Sequence, residues 1–514
     1  MEFGWSRRVS DRPYAYLLMA IALAAAIRLF LLWQYYCISS DGVRYIEAAE
    51  NFYAGQIRMG LSSLCPPLYP LMIAALYPLV ENWELAGQIL SMVAGVIVLV
   101  PLFALLRKIY NENVAVIASF LAAMAPFLAR YSVHVRTESP FILLSTVALL
   151  LFHCGVKNRL RSRLFCGGLI AGLAYLVRPE GIGFLVIIPI ALLVEWWFRK
   201  TVSLGAVLLG SLLTLLGFLV FAGPYAGYLA VDTGDWGAVS RKTNITLWHG
   251  FRDSGLLGDD DLAAIIGPGS PGIIEIFLSN PIVYIKKIAL DLPLSLGVYL
   301  EAVYYSYVPF LVLGIFHALR QRFWEQTDLL LFIFVVFHII SFAVILVNLR
   351  YAIQLIPASL GWVAMGIIWC VNSDYLRQRL SPSTFRTTLT VVGLIFIGGT
   401  LGKTLQPIAL DKAYVREAGR YLSKMKEDGN LKIAVLDNRI PFYAGAEAVY
   451  LFEVKDSELR TYIDKQNPHF LAAEKKSWQH HFPSAAERPE DFGLFLEKEF
   501  IGVRKDRLLV FKVN

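Results

Sequence analysis

Long apolar runs constrain the fold of this chain more than any other feature of its sequence. About eleven runs are long enough, or nearly so, to cross a hydrocarbon core of about 30 Å. They are residues 14–33, 85–106, 114–129, 139–156, 164–177, 182–198, 202–222, 298–319, 329–347, 351–371 and 387–401. Because lipid offers the backbone no hydrogen bonds, such runs form helices. The sequence therefore predicts a mostly α polytopic membrane protein with about eleven transmembrane helices.

Composition agrees with lipid as the solvent of this chain. Of its 514 residues, 57% are hydrophobic and only 17% are charged, whereas soluble proteins carry about 25% charged residues. The net charge of +7 does not indicate nucleic acid, because the basic residues flank apolar runs instead of forming a patch. The first run is longer than a signal-peptide core and further runs follow, so an uncleaved span is favoured over a signal peptide.

Basic residues predict the orientation of the spans. If the spans alternate in direction, every basic cluster falls on one side, which the positive-inside rule assigns to the cytoplasm. The clusters are Arg7, Arg8 and Arg12; Arg107 and Lys108; Lys157, Arg159, Arg161 and Arg163; Arg199 and Lys200; Arg320 and Arg322; and Arg377, Arg379 and Arg386. We therefore expect a cytoplasmic amino terminus and an extracytoplasmic tail.

The same topology divides the chain into two domains. Residues 1–406 form a transmembrane domain with a long first outer loop (34–84) and a second outer loop (223–297) that includes the acidic run 259–261. Residues 407–514 change sharply in composition and alternate between helix and strand patterns. Predicted strands cover 432–437, 448–452, 469–474 and 507–513. This alternation predicts a small extracytoplasmic α/β domain.

The first outer loop begins with the stretch SSDGVRY, which contains Asp41. Val43, Ile46 and Ala49 recur at helical spacing, opposite Arg44, and this pattern predicts an amphipathic helix on the membrane surface. Asp41, or one of the two serines before it, could simply cap that helix. The other interpretation is that Asp41 lies at the membrane boundary because chemistry happens there.

The cysteines leave two alternatives open. Cys37 and Cys65 share the first outer loop, where an oxidising compartment would permit a disulfide; the alternative is two separate buried thiols. Cys154, Cys166 and Cys370 lie in or near spans and are interpreted as packing residues. No cysteine–histidine spacing predicts structural zinc.

Four charged motifs follow or precede spans on the predicted outer side. They are SSDGVRY, HVRTESP, VRPEG and NLRYAIQLIP, and they contribute Asp41, Arg136, Glu138, Arg178, Glu180 and Arg350. Any one of these side chains could be an interface anchor. Together, they suggest a functional site. Arginine forks match phosphate oxygens, and a carboxylate can take a proton from an attacking group. That combination suits transfer of a group from a phosphate leaving group.

These motifs resemble those of the C-type membrane glycosyltransferases, in particular the bacterial group similar to protein O-mannosyltransferases and lipid A aminoarabinose transferases. The resemblance rests on Asp41, Tyr45 and Ala49 in an Asp-x-x-x-Tyr-x-x-x-Ala pattern, on Pro-Pro-Leu-Tyr at 66–69, Thr-Glu at 137–138, Arg-Pro-Glu-Gly at 178–181, and Arg-Tyr at 350–351 with Pro357. Two departures are Gly42, where many relatives have glutamate, and Cys65, where they often have histidine. A divalent metal is therefore not supported, and no cofactor is assigned.

The resemblance implies an inverting enzyme of the bacterial inner membrane that moves a sugar from a polyprenyl-phosphate donor to a lipid, glycan or protein acceptor on the outer face. Asp41 would be the general base and Glu138 a second catalytic residue. The implied substrate-binding residues are Arg44, Tyr45, Arg136, Arg178, Glu180, Arg350 and Tyr351. The alternatives are a flippase or transporter of lipid-linked sugars, and a membrane scaffold that presents the tail to a partner.

Overall fold

A computed structural model describes residues 12–234, 239–258, 265, 273–320, 329–373, 378, 381–425 and 431–514. Several residues used above lie outside the described part, namely Arg7, Arg8, the acidic run 259–261, Arg322, Arg377 and Arg379. The chain divides into two compact units. The first comprises Met1–Phe30 and Ala48–Leu405, and the second comprises Leu31–Glu47 and Gln406–Asn514. Residues 31–47 therefore belong to the same compact unit as the tail, whereas the sequence predicted them to be part of the transmembrane domain.

All regular secondary structure in the described residues of the first unit is helical. The helices that lie in it, or run into it from the second unit, are Pro13–Trp33, Ser40–Tyr53, Ile57–Ser62, Leu68–Val80, Trp83–Ile97, Leu99–Ile109, Glu112–Met124, Pro126–Tyr131, Glu138–Lys157, Arg161–Tyr175, Phe184–Trp197, Leu204–Thr233, Thr243–Ser254, Ile273–Ser279, Pro281–Val303, Val308–Arg320, Leu329–Val344, Leu349–Ala352, Ile356–Asn372 and Pro382–Thr404, with 3-10 turns at Pro179–Gly183 and Ile353–Leu355.

Fewer helices than the predicted eleven are long and apolar enough to cross a membrane by themselves. Within the described residues there are seven, and a strongly bent pair makes an eighth candidate. Three shorter apolar helices, Leu68–Val80, Glu112–Met124 and Leu329–Val344, fall below that length. The mostly helical membrane architecture is therefore confirmed, whereas the count of eleven spans is not.

The bent pair corrects one predicted span. The apolar run 298–319 was expected to be a single helix, but Pro281–Val303 and Val308–Arg320 meet at 110°. The first helix ends at Tyr304, whose φ of 83° is uncommon for a residue with a side chain. Hydropathy is continuous across this break, so apolar composition alone could not reveal it. Helix Pro281–Val303 also occupies the last part of the predicted second outer loop, residues 281–297.

Glycines let several helices of the first unit approach closely. A Cβ atom at Gly314 would lie 1.8 Å from the carbonyl oxygen of Trp362, and one at Gly366 would lie 2.0 Å from that of Phe310. Helices Val308–Arg320 and Ile356–Asn372 are thus in backbone contact at these positions. Small residues at helix crossings are how membrane helices gain packing contacts that the surrounding lipid cannot supply.

The second unit contains a five-stranded sheet covered by helices. Its strands are β1 (Lys432–Val435), β2 (Glu447–Tyr450), β3 (Phe470–Glu474), β4 (Leu494–Ile501) and β5 (Arg507–Val513), in the order β2-β1-β3-β5-β4. The first three are parallel, and β5 pairs antiparallel with β3 and β4. Its helices are Ala413–Ser423, Arg439–Ala444, Leu459–Gln466, Lys475–His481 and Pro483–Glu487, with 3-10 turns at Leu410–Lys412, Asp456–Glu458 and Pro489–Phe492.

Strand β4 was not predicted from the sequence, although the other four strands were. Its residues LFLEKEFI include three charged side chains in a row, and most of them are exposed because β4 lies at the edge of the sheet. Charged residues are common on edge strands, where they oppose unwanted pairing with other chains. They also remove the apolar alternation by which a strand is recognised in a sequence.

The two cysteines of the first outer loop, Cys37 and Cys65, do not form the possible disulfide. Cys37 is fully buried in the apolar core of the second unit, together with Tyr414 and Val415. Cys65 belongs to the first unit and is also buried. Both behave as small apolar residues, which is a common role of buried cysteine.

Candidate active site

Glu138 is the centre of a buried charged cluster in the first unit. Its Oε1 atom accepts a bond from Nη1 of Arg178 at 3.1 Å and a short bond from Nε of Arg350. The side chain of Glu138 is 2% exposed. Its second oxygen, Oε2, is buried and has no hydrogen-bond partner among the described residues. One carboxylate therefore joins two arginines that lie far apart in the sequence.

A second carboxylate completes the surroundings of Arg178. Nε and Nη2 of Arg178 both donate to Oε1 of Glu180, at 3.1 and 2.6 Å. The guanidinium also lies over the rings of Tyr351 and Phe141, with its carbon 5.3 and 5.9 Å from their centroids. Arg178 is thus oriented by two carboxylates and two aromatic rings. Arg350 is more accessible, since 22% of its side chain is exposed.

Local sequence explains why these residues stand at helix ends. Glu138 begins helix Glu138–Lys157, where a negative charge is favourable beside the positive end of the helix dipole. Arg178 precedes Pro179 and has the extended backbone that a following proline favours. Arg350 follows Asn348, whose side chain caps the short helix by accepting the N–H of Arg350 at 3.0 Å.

Arg136 lies near Glu138, and hydrogen bonds connect its backbone to Tyr69 of the Pro-Pro-Leu-Tyr motif. Tyr69 bonds through its hydroxyl to Ser91 at 2.8 Å, and Ser91 donates to the carbonyl oxygen of Arg136 at 3.0 Å. Burial, reinforced by the positive charge of Arg136, holds the pKa of His134 well below its ordinary value, although Glu138 acts in the opposite direction. His134 is therefore neutral at physiological pH.

The sequence did not single out His338, a buried residue of helix Leu329–Val344. Its Nδ1 lies 2.8 Å from the carbonyl oxygen of Phe334, and its Nε2 is buried without a hydrogen-bond partner among the described residues. His338 stands in the middle of the apolar run 329–347. A lone ionisable residue inside an apolar span is the signal that could have identified it.

Lys287 was also missed, because it falls in the predicted second outer loop. It is fully buried, pairs with Asp291 at 2.8 Å, and donates to the carbonyl oxygen of Ala343 at 3.0 Å. Ala343 belongs to the last turn of helix Leu329–Val344, shortly before the segment that carries Arg350. Lys287 therefore stabilises a helix end that precedes Arg350.

Replacing Glu138 by Gln is expected to lower the free energy of unfolding by about 3–5 kcal/mol, because a buried ion pair that loses one partner leaves uncompensated charge. Thermal unfolding of the purified protein measures the change. Glu112→Gln is the matched control, since Glu112 pairs with Arg107 at 2.7 Å near the surface, where such pairs contribute about 0–1 kcal/mol. Equal unfolding temperatures for the two variants would contradict a structural role of Glu138.

Asp41 belongs to the second unit, in the first turn of helix Ser40–Tyr53. The cap of this helix is supplied by Ser39, whose Oγ accepts the N–H of Gly42 at 3.1 Å and whose carbonyl oxygen accepts the N–H of Val43 at 3.2 Å. These two bonds are those of an N-cap residue. The capping role that could have explained Asp41 is therefore filled by its neighbour.

The C-terminal part of the second unit holds the segment that precedes Asp41. Ile38 donates its N–H to the hydroxyl oxygen of Tyr443 at 2.7 Å, and Asn438 donates its side-chain N–H to the carbonyl oxygen of Ser40 at 2.9 Å. Asn438 lies next to Asp437, in the segment that follows strand β1. Hydrogen bonds from the tail thus restrain the backbone on which Asp41 stands.

Helix Ser40–Tyr53 does not offer its apolar face to lipid, which corrects the predicted surface helix. Val43, Ile46 and Ala49 are each at most 2% exposed within the protein. Tyr45 is also buried, at 4%, while Arg44 is exposed. The same periodicity that fits a membrane surface also fits burial against protein, and here protein supplies the apolar surroundings.

Five of the predicted site residues therefore lie close together in the first unit. Three other predicted site residues belong to the second unit. The five are Glu138, Arg178, Glu180, Arg350 and Tyr351, with Arg136 beside them; the three are Asp41, Arg44 and Tyr45. In the described part of the chain, no group of three or more His, Cys, Asp or Glu side chains could hold a metal ion.

Comparisons with known proteins agree with this architecture. Residues 65–222 match the family described as dolichyl-phosphate-mannose-protein mannosyltransferase. No curated protein matches the sequence significantly. ArnT from Cupriavidus metallidurans bound to undecaprenyl phosphate has a TM-score of 0.57 and 12% identity, over 97% of this chain and 98% of that one.

The archaeal oligosaccharyltransferase AglB from Archaeoglobus fulgidus, in complex with an inhibitory peptide and a dolichol-phosphate, is similar as well. Its TM-score is 0.59 at 12% identity, over 96% of this chain and 74% of that one. The apo form of the Archaeoglobus fulgidus oligosaccharyltransferase gives 0.58, also at 12% identity, over 90% and 70%. At such identities the shared feature is the fold. The chain is therefore an integral membrane protein with the C-type glycosyltransferase fold, which confirms the resemblance identified from its motifs.

Proposed function

We propose that this protein transfers a sugar from a polyprenyl-phosphate donor to an acceptor hydroxyl or amine on the extracytoplasmic face of a bacterial inner membrane. The observation that carries the proposal is the cluster in which Glu138 joins Arg178 and Arg350 at the ends of apolar helices. Support also comes from the matched family and from similar structures bound to undecaprenyl phosphate or dolichol-phosphate.

The proposed reaction is a single displacement. The acceptor oxygen or nitrogen attacks the anomeric carbon, and the bond from that carbon to the phosphate oxygen breaks. Its electron pair leaves with the polyprenyl phosphate, while Asp41 takes the acceptor's proton. Because the nucleophile enters opposite the leaving group, the configuration at the anomeric carbon inverts.

The arginines are proposed to stabilise the charge that develops on the leaving phosphate. Arg350 is the best direct partner, because its side chain is the more exposed of the two that bond Glu138. Arg178 is held by Glu138 and Glu180, so its role is to fix the geometry and the positive potential of the site. Arg136 adds a further positive charge near Glu138. Fixed donors of this kind stabilise charge more effectively than water does.

A lipid-linked sugar donor and the purified protein test the function directly. We expect transfer of the sugar from a synthetic polyprenyl-phosphate donor to acceptors extracted from a bacterial envelope, with inverted anomeric configuration by NMR. The alternative function, a flippase, predicts movement of the same donor across vesicle membranes without cleavage of the phosphate bond. Donor translocation without any transfer would therefore refute the proposed enzyme and favour the transporter.

Orientation in the membrane is a separate expectation. A reporter fused after Asn514 should be active only outside the cytoplasm, and one inserted between Lys157 and Arg163 only inside it, because basic loops remain on the cytoplasmic side. Alkaline phosphatase and fluorescent-protein fusions measure the two locations. A cytoplasmic carboxyl terminus would contradict the proposed extracytoplasmic reaction.

A further inference from the structure

A polar cavity lies in the first unit, at the helix ends opposite to the Glu138 cluster. Helix Glu138–Lys157 has 20 residues and is therefore about 30 Å long, with Glu138 at one end and Lys157 at the other. The cavity has a volume of about 260 Å³. Its lining residues are His153, Val156, Lys157, Arg159, Glu195, Arg199, Thr201 and Leu330.

Positive charge predominates in the lining, because it contains three basic side chains and one carboxylate. These are Lys157, Arg159 and Arg199, and Glu195. Glu195 is already engaged, because it accepts bonds from Arg199 and from the hydroxyl of Thr201, each at 2.7 Å. Lys157 and Arg159, in contrast, pair with no carboxylate in the described part of the chain. Two cations therefore remain available to a ligand.

His153 adds a buried polar atom to the wall of the cavity. The residue is 4% exposed, and its Nε2 has no hydrogen-bond partner among the described residues. A buried ring nitrogen without a partner is costly unless a water molecule or ligand bonds to it. His153 is also one of the residues that border the cavity.

Two basic residues near the cavity have an uncommon backbone conformation. Arg159 and Lys200 both have left-handed φ values, 55° and 53°. Such values cost energy for residues with side chains and occur often at functional sites. Arg159 lies just after helix Glu138–Lys157 and is one of the lining residues.

We propose that this cavity binds a phosphate group, with Lys157 and Arg159 as its cationic partners and His153 as its buried hydrogen-bond partner. Its volume accommodates a phosphate and the first atoms of a substituent, and is below the range of about 300–1,000 Å³ typical of drug-sized ligands. The phosphate could belong to an anionic lipid headgroup or to a soluble compound. Basic pockets between membrane helices suit lipid headgroups.

The competing explanation is that the basic residues only balance helix dipoles. Helices Glu138–Lys157 and Phe184–Trp197 both end beside the cavity, and cations are favourable near helix carboxyl ends. That explanation requires no ligand and assigns no role to the unmet bond of His153.

Matched double variants distinguish the two explanations. Lys157→Gln with Arg159→Gln removes two charges from the lining, whereas Arg161→Gln with Arg163→Gln removes two exposed charges from the first turn of the next helix, Arg161–Tyr175, outside the lining. His153→Phe is a third variant that keeps the volume and removes the ring nitrogens. All four side chains of the double variants are exposed, and thermal unfolding verifies that each protein is folded.

Binding is measured in two arms with the purified full chain. Native mass spectrometry counts phosphatidylglycerol retained from mixed phosphatidylcholine–phosphatidylglycerol nanodiscs, and calorimetry measures inorganic phosphate binding in neutral detergent. One of the two arms contains the kind of ligand that the cavity binds in the cell. In that arm, we expect the binding affinity to fall about fivefold for each lining charge removed. The exposed pair should have less than a twofold effect, and His153→Phe should also weaken binding.

The two arms also identify the source of the phosphate. Loss confined to the phosphatidylglycerol arm indicates a lipid headgroup, and loss confined to the phosphate arm indicates a soluble ligand. Equal losses for the two double variants would overturn the proposal, because binding would then depend on positive charge in this region and not on the cavity. Absence of binding by the unmodified protein in both arms would overturn it as well.

Discussion

Asp41→Asn is expected to abolish measurable sugar transfer while leaving the protein folded, inserted and able to bind donor lipid. Asparagine has the same shape but cannot accept the acceptor's proton, and general-base assistance is worth about 10²–10⁴-fold in rate. Stability should change little, because Ser39 supplies the helix cap. Initial rates of transfer with saturating donor and acceptor measure the loss.

Ser39→Ala is the matched control for that variant, two residues away in the same turn. It removes the bond to the N–H of Gly42 and should destabilise the protein by about 0.5–2 kcal/mol, yet keep transfer within a few fold. The two variants thus separate loss of structure from loss of chemistry. If folded Asp41→Asn retains full transfer, the base must be another carboxylate, with Glu138 and Glu180 as the next candidates.

Arg350→Lys is expected to lower kcat/KM for the lipid-phosphate donor by about 10²–10³-fold, the usual cost of removing one donor that stabilises transition-state charge. A lysine keeps the positive charge and can still pair with Glu138, so stability should be largely kept. It cannot reproduce the planar fork that matches two phosphate oxygens. Steady-state kinetics with varied donor concentration measures the effect.

Arg178→Lys should behave differently, and the contrast tests the assignment of roles. The Arg178 guanidinium contacts Glu138 and Glu180 at once, which a single ammonium cannot do in the same geometry. We therefore expect a lower unfolding temperature together with reduced transfer. Arg107→Lys, at an exposed pair with Glu112, controls for the substitution itself. Full activity and stability in both variants would make Arg178 and Arg350 interface anchors.

Apolar run length determined the class of this protein from the sequence alone. Lipid leaves the backbone no hydrogen-bond partners, so runs of this length can only be helices, and the mostly helical membrane fold follows directly. The alternating tail likewise predicted an α/β unit, because core-facing residues of strands and helices repeat with different periods. Spacing and residue type were also sufficient to select Glu138, Arg178, Glu180 and Arg350.

Tertiary structure alone decided how those residues pair and which alternatives hold. Sequence could not reveal that one oxygen of Glu138 serves both Arg178 and Arg350, because ion pairing depends on distances between segments that are remote along the chain. Nor could it separate a helix face buried in protein from one resting on lipid, since both need the same periodicity. Lys287 could not be identified for a related reason, because its burial and its pairing with Asp291 are not encoded in local composition. His338 differs, since a lone ionisable residue inside an apolar run is visible in the sequence.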